Sequence, residues 1–285
     1  MVNRKREIRK LCPLCGKKIE GNEFVLGGTT IRCSKCSLAF NYLLPHISLD
    51  ERWENYTFDQ GVTEYDLARV PFFECLWKYI CQLIKKNNGR LLDFGCGRGI
   101  LLRTAKLNNW QAEGIETSEK ISKIAENYSG CKVFADRIEN LDLHPESYDV
   151  VLMIDVFRQL IDPLNDLKNC ARLCKKGGKI VIRDLNINHP NSLKHVSASQ
   201  EWDLQCFSPK TAKFFMEKVG IKKVYFFPSP LSLLTTSFTK KIFKNNPKIN
   251  NKLMGIINRL IQMTYGFTFH HWLAITPEML IIGEK

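Results

Sequence analysis

Four cysteines near the start of the chain stand in two matched pairs. Cys12 and Cys15 form the first Cys-x-x-Cys step, and Cys33 and Cys36 form the second. Each step places two thiolates on one tight turn, within reach of a single tetrahedral ion. Two steps supply the four soft ligands of a closed structural Zn²⁺ site, although four unlinked thiols or a redox dithiol would also account for them. We predict a zinc ribbon over residues 1–45.

A second set of candidate residues lies in a loop in the middle of the chain. The loop begins at Asp93, and Gly95, Gly97 and Gly99 follow at alternate positions. Glycines at such positions let the backbone turn sharply and approach a ligand without interference from Cβ atoms. Asp93 can accept a hydrogen bond from a cationic amino group or hold the loop. The spacing differs from the dinucleotide fingerprint, whose last glycine falls one residue later.

Three further acids each follow a short apolar run that predicts a buried strand. Glu116 follows the strand 111–115, about 20 residues after the glycine loop, where a carboxylate can bind both ribose hydroxyls. Asp136 can accept a hydrogen bond from an adenine amino group, and Asp155 follows the strand 148–154. Each of these acids could instead be a polar strand end without a ligand.

The elements that must position these residues alternate along the chain. Repeated strand, acid and helix are typical of an α/β protein with a doubly wound, Rossmann-like parallel sheet, here preceded by the small ribbon. An amphipathic helix is predicted over residues 70–86, and Thr117 or Ser118 can cap a helix over 119–128. Aromatic residues in the bridge 46–89 either pack between ribbon and core or form a flap over a ligand pocket.

The glycine loop, the three acids and the pattern from Asp155 to Gly178 together resemble class I S-adenosylmethionine-dependent methyltransferases. The resemblance covers about residues 90–190, within a predicted core of 90–220. It implies that the glycine loop contacts the methionine part of S-adenosylmethionine and that Glu116 holds the ribose. It also implies that Asp136 contacts the adenine, with the backbone of Ile138 carrying part of that contact. Asp155 is assigned to the cofactor site as well.

The order of ribbon, aromatic segment and core is similar to bacterial methyltransferases of sugar and polysaccharide gene clusters. Members often have Glu-His-Leu after the fourth strand, where this chain has Arg158-Gln159-Leu160. Many also have a histidine shortly before the Phe-Ser pair at Phe207 and Ser208, which is absent here. Both departures remove a familiar candidate for the general base.

Other residues could deprotonate an acceptor, and a base is needed only for an unactivated hydroxyl or a carbon acid. Asp155 at the strand end and His189 in the following loop are the candidates that we select, with His195 and Tyr56 as further options. Each of them could equally be a polar loop residue that takes no part in proton transfer.

The charge of the chain is unevenly distributed. The formal net charge is +13, yet residues 51–217 are neutral, and residues 218–277 contain nine basic residues and no acid. A neutral centre suits a small-molecule site, whereas basic ends suit RNA or an anionic membrane surface. The basic amphipathic part of 222–263 could lie on a membrane, close over the active site, form a dimer contact or remain a solvated face. We expect strands within 221–285 to complete the sheet.

Two classes of function follow, and a third stays open. The first is methyl transfer to a small-molecule acceptor, namely a saccharide, nucleotide-sugar or lipid-linked glycan. The alternative is an RNA or protein methyltransferase that grips a polymer with the ribbon and the basic ends. The third is a binding module that keeps the cofactor fold without catalysis. No signal peptide and no membrane-spanning segment is recognisable, so we expect a cytoplasmic protein.

Overall fold

The computed structural model describes residues 7–21, 23–44, 61–189, 192, 203–230 and 277–285. These residues form one sheet of four strands and one of seven. The strands are β1 (Phe24–Gly27), β2 (Thr30–Arg32), β3 (Ala39–Asn41), β4 (Gly89–Phe94), β5 (Trp110–Ile115), β6 (Lys132–Phe134), β7 (Tyr148–Ile154), β8 (Cys174–Leu185), β9 (Gln205–Cys206), β10 (Lys223–Pro228) and β11 (Glu278–Glu284). The α-helices are α1 (Glu64–Ala68), α2 (Val70–Ile84), α3 (Ile100–Leu107), α4 (Glu119–Ser129), α5 (Pro163–Leu173) and α6 (Pro209–Lys218).

The seven-stranded sheet has the order β10-β11-β8-β7-β4-β5-β6. The five strands from β8 to β6 in this order are parallel to one another. β11 is antiparallel to β8, and β10 is antiparallel to β11. The chain passes from β4 to β5 and β6 on one side and then to β7 on the other. A ligand crevice forms at such a reversal, outside the carboxyl ends of the strands. The acids predicted as site residues follow these ends.

The central strand β7 is buried on both faces, as expected for a parallel sheet covered by helices. Val150 and Leu152 belong to the apolar cluster that includes residues of α2, α3 and α4. Val151 and Met153 belong to the opposite cluster, with residues of α5 and α6. The continuous apolar run in the sequence therefore arises because both faces of the strand lie in the core.

The N-terminal ribbon is joined to the core by shared structure. β1 and β2 form an antiparallel hairpin, β3 pairs with β2, and β9 then pairs with β3. Leu38 and Phe40 lie in the same apolar cluster as residues of α5 and α6. The predicted segments 1–45 and 90–220 are thus distinct in sequence, but they contribute strands to one sheet and side chains to one core.

Most predicted elements are present with small shifts at their ends. β7 matches the predicted strand 148–154, and the side chain of Ser118 caps α4. α2 ends at Ile84, before the predicted end at residue 86, because Lys85 adopts the left-handed conformation. β8 begins at Cys174 and includes Gly177 and Gly178, at a place where its pairing with β7 is irregular.

The C-terminal region completes the sheet, as predicted, although its strands were not all anticipated. β11 lies between β8 and β10, and β10 falls in a stretch that the sequence did not identify as a strand. His195, Tyr56 and the part of the basic amphipathic segment 222–263 beyond residue 230 lie outside the described residues. Among the residues that are described, no helix is long and apolar enough to cross a membrane.

Candidate cofactor and metal sites

The glycine loop leaves β4 with three residues in the left-handed backbone region. The φ angles of Gly95, Gly97 and Gly99 are 75°, 53° and 77°. A Cβ atom at Gly95 would lie 2.6 Å from Cγ2 of Val156, and one at Gly99 would lie 2.9 Å from the carbonyl oxygen of Ala125. A Cβ atom at Gly97 would meet no protein atom within 4 Å. Packing therefore requires two of these glycines, while Gly97 faces open space in which a ligand could lie.

Glu116 lies directly after β5 and is held between the glycine loop and the start of α4. Its Oε2 accepts a hydrogen bond from the amide of Gly97 at 3.1 Å, and its Oε1 accepts one from the amide of Ser118 at 3.2 Å. The residue is only 8% exposed. Each carboxylate oxygen has two lone pairs, so both oxygens retain the capacity to accept from hydroxyl groups.

Asp93 is the last but one residue of β4 and is 3% exposed. Burial, and to a smaller extent the negative charge of Glu116, raise the pKa of Asp93 to about 7. Both causes oppose ionisation, so a positively charged ligand beside this carboxyl group would favour its charged form. The sequence prediction that Asp93 contacts a cationic amino group is consistent with this environment.

Asp136 follows β6 and is exposed. Its Oδ1 accepts hydrogen bonds from the side chain of Asn140 at 2.8 Å and from the amide of Arg137 at 2.7 Å, and these contacts lower the pKa of Asp136. Ile138 begins a short 3-10 helix, and its side chain is buried in the core. The amide of Glu116 donates to the carbonyl of Phe134, which brings the two strand ends together.

Asp155 follows β7 with a φ of 61° and is surrounded by arginines. Its carboxylate forms ion pairs with Nη1 of Arg183, with Nη1 of Arg158 at 3.5 Å and with Nη2 of Arg69 at 3.9 Å. Burial opposes ionisation of Asp155, but the three guanidinium charges outweigh burial and lower its pKa. A carboxylate with a lowered pKa is a weak proton acceptor, so this environment disfavours Asp155 as the general base.

Arg158 lies where the sequence analysis expected Glu-His-Leu and found Arg-Gln-Leu, and it is the centre of a charge cluster with two buried carboxylates. Its Nε donates to Asp203 at 2.8 Å, and its Nη1 donates to Asp184 at 3.2 Å. Burial lowers the pKa of Arg158, but the neighbouring carboxylates outweigh burial and raise it. The sequence did not reveal this cluster, because its members come from separate segments with no common spacing.

His189 lies in the turn that follows β8 and is half-buried. Its amide donates to the carbonyl of Asn186 at 2.9 Å, and its carbonyl accepts from the amide of Ser192 at 3.0 Å. The role of His189 in proton transfer stays a prediction.

The glycine loop has two further supports that sequence reasoning missed. Nη1 of Arg98 donates to Oδ2 of Asp66 at 2.9 Å, which connects the loop to α1. A Cβ atom at Gly114 would lie 2.7 Å from Sγ of Cys96, so a glycine in β5 lets the loop pack against that strand. Arg98 and Gly114 were visible in the sequence, but nothing in their spacing indicated these partners.

The four N-terminal cysteines converge, as the sequence predicted. The Sγ atoms of Cys12, Cys15, Cys33 and Cys36 all lie within 4.8 Å of one another. Cys12 and Cys36 are 3.6 Å apart at Sγ, as are Cys15 and Cys33. A tetrahedral site with Zn–S bonds of about 2.3 Å has sulfur atoms about 3.8 Å apart. The arrangement therefore fits a four-cysteine zinc site.

Fold and glycine loop together define a methyltransferase of the doubly wound α/β class. A family model described as a methyltransferase domain matches residues 74–222. This match covers more than half of the chain, and the chain belongs to that family. The family and its neighbours support an S-adenosylmethionine-dependent methyltransferase.

Curated relatives match part of the chain. Ubiquinone biosynthesis O-methyltransferase from Coxiella burnetii is 29% identical over 116 residues, which are 39% of this chain and 50% of the relative. The enzyme of the same name from Bordetella pertussis is 36% identical over 122 residues, or 41% of this chain and 50% of the relative. The chain thus spans about half the length of the curated relatives that it matches.

A solved structure is similar over more of the chain. Phosphoethanolamine N-methyltransferase 2 from Haemonchus contortus, in complex with S-adenosyl-L-methionine, has a TM-score of 0.59 and 16% sequence identity. The similarity covers 87% of this chain and 62% of that one. At this identity the similarity shows a common fold.

Proposed function

We propose that the protein transfers the methyl group of S-adenosylmethionine to a small-molecule acceptor. The observation that carries the proposal is the pair of buried acids, Asp93 and Glu116, on either side of a glycine loop that faces open space at Gly97. Membership of the methyltransferase family supports the reaction class.

Each part of this site has a proposed role toward the cofactor. Glu116 binds the two ribose hydroxyls, Asp93 binds the ammonium group, and the loop from Gly95 to Gly99 passes the methionine part. Asp136, together with the backbone of Ile138, contacts the adenine. S-adenosylmethionine, when bound, supplies an electrophilic methyl group on a sulfonium centre. The protein contributes chiefly by aligning the acceptor and excluding water, because the charge of the sulfonium is neutralised during transfer.

Proton transfer, where the acceptor requires it, is assigned to His189 in this proposal. The ion pairs of Asp155 with three arginines favour a positioning role for that residue at the edge of the cofactor site. Asp155 therefore holds the turn after β7 next to Gly95, while the imidazole of His189, a side chain that can accept a proton at a ring nitrogen, is the proposed base.

The acceptor class rests on two lines of support. The curated relatives are named for ubiquinone biosynthesis, which favours a small molecule over a polymer. The finer assignment to a saccharide, nucleotide-sugar or lipid-linked glycan rests on the resemblance of the whole chain to methyltransferases of sugar gene clusters. The four cysteines are proposed to hold a structural Zn²⁺, whose geometry they fit.

Substitution of Glu116 tests the cofactor site. Glu116→Ala removes charge-assisted hydrogen bonds, each worth about 1.5–3 kcal/mol before water compensates. The affinity for S-adenosylhomocysteine, measured by calorimetric titration, should fall about tenfold to a hundredfold, at about 1.4 kcal/mol per factor of ten. Glu116→Gln keeps the shape of the side chain and should lose less affinity.

The matched control for this experiment is Glu119→Ala. Glu119 is an exposed glutamate three residues further on, and it forms an ion pair with the exposed Lys123. This variant should bind like the wild-type protein. Equal affinities for the wild-type protein and Glu116→Ala would contradict the cofactor site, and absence of binding to the wild-type protein would contradict the proposed reaction.

A panel of acceptors tests the substrate class. Transfer of labelled methyl from S-adenosylmethionine to nucleotide-sugars or glycolipids would support the saccharide assignment. Transfer to polyprenyl phenols would instead support an acceptor related to ubiquinone biosynthesis, for which the curated relatives are named. Labelling of RNA or protein alone would contradict a small-molecule acceptor and favour the polymer alternative.

A further inference from the structure

The short strand β9 belongs to the ribbon sheet and also contacts the turn that follows β7. On one side it pairs with β3, with Ala39 opposite Cys206 and Phe40 opposite Gln205. The amide of Asn41 also donates to the carbonyl of Leu204 at 2.8 Å. The ribbon therefore fixes the path of the chain at residues 204–206.

On its other side, β9 holds the turn that follows β7. Nε2 of the fully buried Gln205 donates to the carbonyl oxygens of Phe157 at 3.0 Å and Leu160 at 2.7 Å. The amide of Leu204 donates to the carbonyl of Arg158 at 2.8 Å. Phe157 and Arg158 belong to the short 3-10 helix Phe157–Gln159, and Leu160 follows it. Residues 204 and 205 therefore supply hydrogen-bond donors to backbone carbonyls in and directly after that helix.

The same turn contacts the glycine loop. Val156, immediately before the 3-10 helix, lies so close to Gly95 that a Cβ atom there would overlap it. Asp155, before the helix, and Arg158, within it, belong to the charge cluster. A shift of the turn would therefore move Val156 against the loop that is proposed to bind the cofactor.

The ribbon reaches this turn by a second route. Nη2 of Arg9 donates to the carbonyl of Ile161 at 3.2 Å, just beyond the 3-10 helix. Cys33 and Cys36 lie between β2 and β3, and the amide of Cys33 donates to the carbonyl of Leu38 at 2.9 Å. Because a structural metal contributes folding free energy to the segment that binds it, metal binding stabilises β3 and with it β9.

We propose that the zinc ribbon is a positioning element of the cofactor site and that Gln205 is the positioning residue that connects the two. The coupling runs from the four cysteines through β3 and β9 to the carbonyls of Phe157 and Leu160, and from there through Val156 to Gly95. It rests on the proposed function, since it describes how the cofactor loop is held. It assigns the ribbon a role in the affinity for the cofactor.

The test replaces Gln205 with methionine in the zinc-loaded full chain. Methionine is similar in volume but cannot donate, so two buried carbonyls lose a partner. We expect the dissociation constant for S-adenosylhomocysteine to rise about threefold to tenfold, with unchanged zinc content. Hydrogen exchange should accelerate at the amides of residues 157–161 and stay slow in β4 and β7. Gln111→Met, at an exposed glutamine of β5, is the matched control and should change neither quantity.

Zinc removal provides the measurement that a merely stabilising role for Gln205 would not reproduce. Chelation should weaken binding to the wild-type protein by a similar factor, and it should add little in Gln205→Met, because the connection is already broken. Arg9→Met, which removes only the second route, should show a smaller effect of the same kind.

The outcomes separate this inference from the proposed function. If the wild-type protein binds the ligand but Gln205→Met leaves both affinity and exchange unchanged, the coupling is overturned and the cofactor site stands. Fully additive effects of chelation and Gln205→Met, or loss of protection throughout the large sheet, would also overturn it. Failure of the wild-type protein to bind contradicts the proposed function instead.

Discussion

The acids at the carboxyl edge of the large sheet fall into two groups with opposite surroundings. The proposed cofactor acids are Asp93, near the end of β4, and Glu116, directly after β5. Backbone amides hold Glu116, and burial raises the pKa of Asp93. The arginine-bound acids are Asp155, after β7, Asp184, near the end of β8, and Asp203, before β9, and they are paired with guanidinium groups of Arg158 and Arg183. Asp155 is partly exposed, whereas Asp184 and Asp203 are buried like Asp93 and Glu116, so exposure alone does not distinguish the two groups.

The difference lies in the groups that surround each carboxyl group. Burial raises the pKa of Asp93, and we propose that the ammonium group of the ligand supplies the positive charge that favours its ionised form. The arginine-bound acids are instead neutralised by guanidinium groups of the protein and hold the backbone. The four convergent thiols of the ribbon resemble Asp93 in this respect, because the Zn²⁺ that they are proposed to hold is also an external cation.

The largest expected effect concerns the thiols. The purified protein should contain about one Zn²⁺ per chain, and Cys33→Ser should release it, because a three-sulfur site loses the closed tetrahedral ligand set. Elemental analysis of both proteins measures this directly. The ribbon sheet of the variant should also become sensitive to proteolysis. Full metal content in Cys33→Ser would show that the cysteines are not the ligands.

A large effect on stability is expected for the arginine-bound acids. Arg158→Met leaves Asp184 and Asp203 buried without their shared cation, and breaking such a pair costs about 3–5 kcal/mol of unfolding free energy. Denaturant titration measures the loss. Arg103→Met, which removes an exposed arginine on α3, is the control and should cost less than about 1 kcal/mol. Equal losses in both variants would erase the distinction between the two groups of acids.

The smallest effect is the pH dependence of cofactor binding. The pKa of Asp93 is raised to about 7 in the free protein, so the carboxyl group is largely protonated below that pH and must lose its proton to bind an ammonium group. Affinity for S-adenosylhomocysteine should therefore fall as the pH falls, by roughly eightfold between pH 7.5 and pH 6. Asp93→Asn should bind more weakly at pH 7.5 and show little dependence. A flat profile for the wild-type protein would place the ammonium group elsewhere.

The sequence predicted the elements whose signal is local. The apolar run of β7, the left-handed glycines of the loop and the two cysteine pairs each depend on a few neighbouring residues, and each lies where the sequence indicated. Their spacing follows from strand geometry, backbone sterics and metal coordination, which act over short stretches of chain.

The parts that sequence reasoning missed depend on contacts between distant segments. Arg158, Asp184 and Asp203 are brought together only by the fold, and the change from Glu-His-Leu to Arg-Gln-Leu gave no hint of the carboxylates that surround Arg158. Glu113, within β5, illustrates the same limit: it accepts hydrogen bonds from Arg90 and from the hydroxyl of Tyr148, and nothing in the neighbouring sequence indicates either partner. Charge cancellation between distant residues has no periodicity to detect.

The central claim is that Asp93 binds the positively charged ammonium group of the ligand, and proton release on binding tests it most directly. Calorimetric titration with S-adenosylhomocysteine at pH 6.5, in two buffers of different ionisation enthalpy, counts the protons released. The account predicts one ligand per chain and release of roughly three quarters of a proton, because a group with a pKa of about 7 is mostly protonated at that pH. Asp93→Asn should release none. Binding to the wild-type protein without proton release, or no saturable binding, would contradict the account.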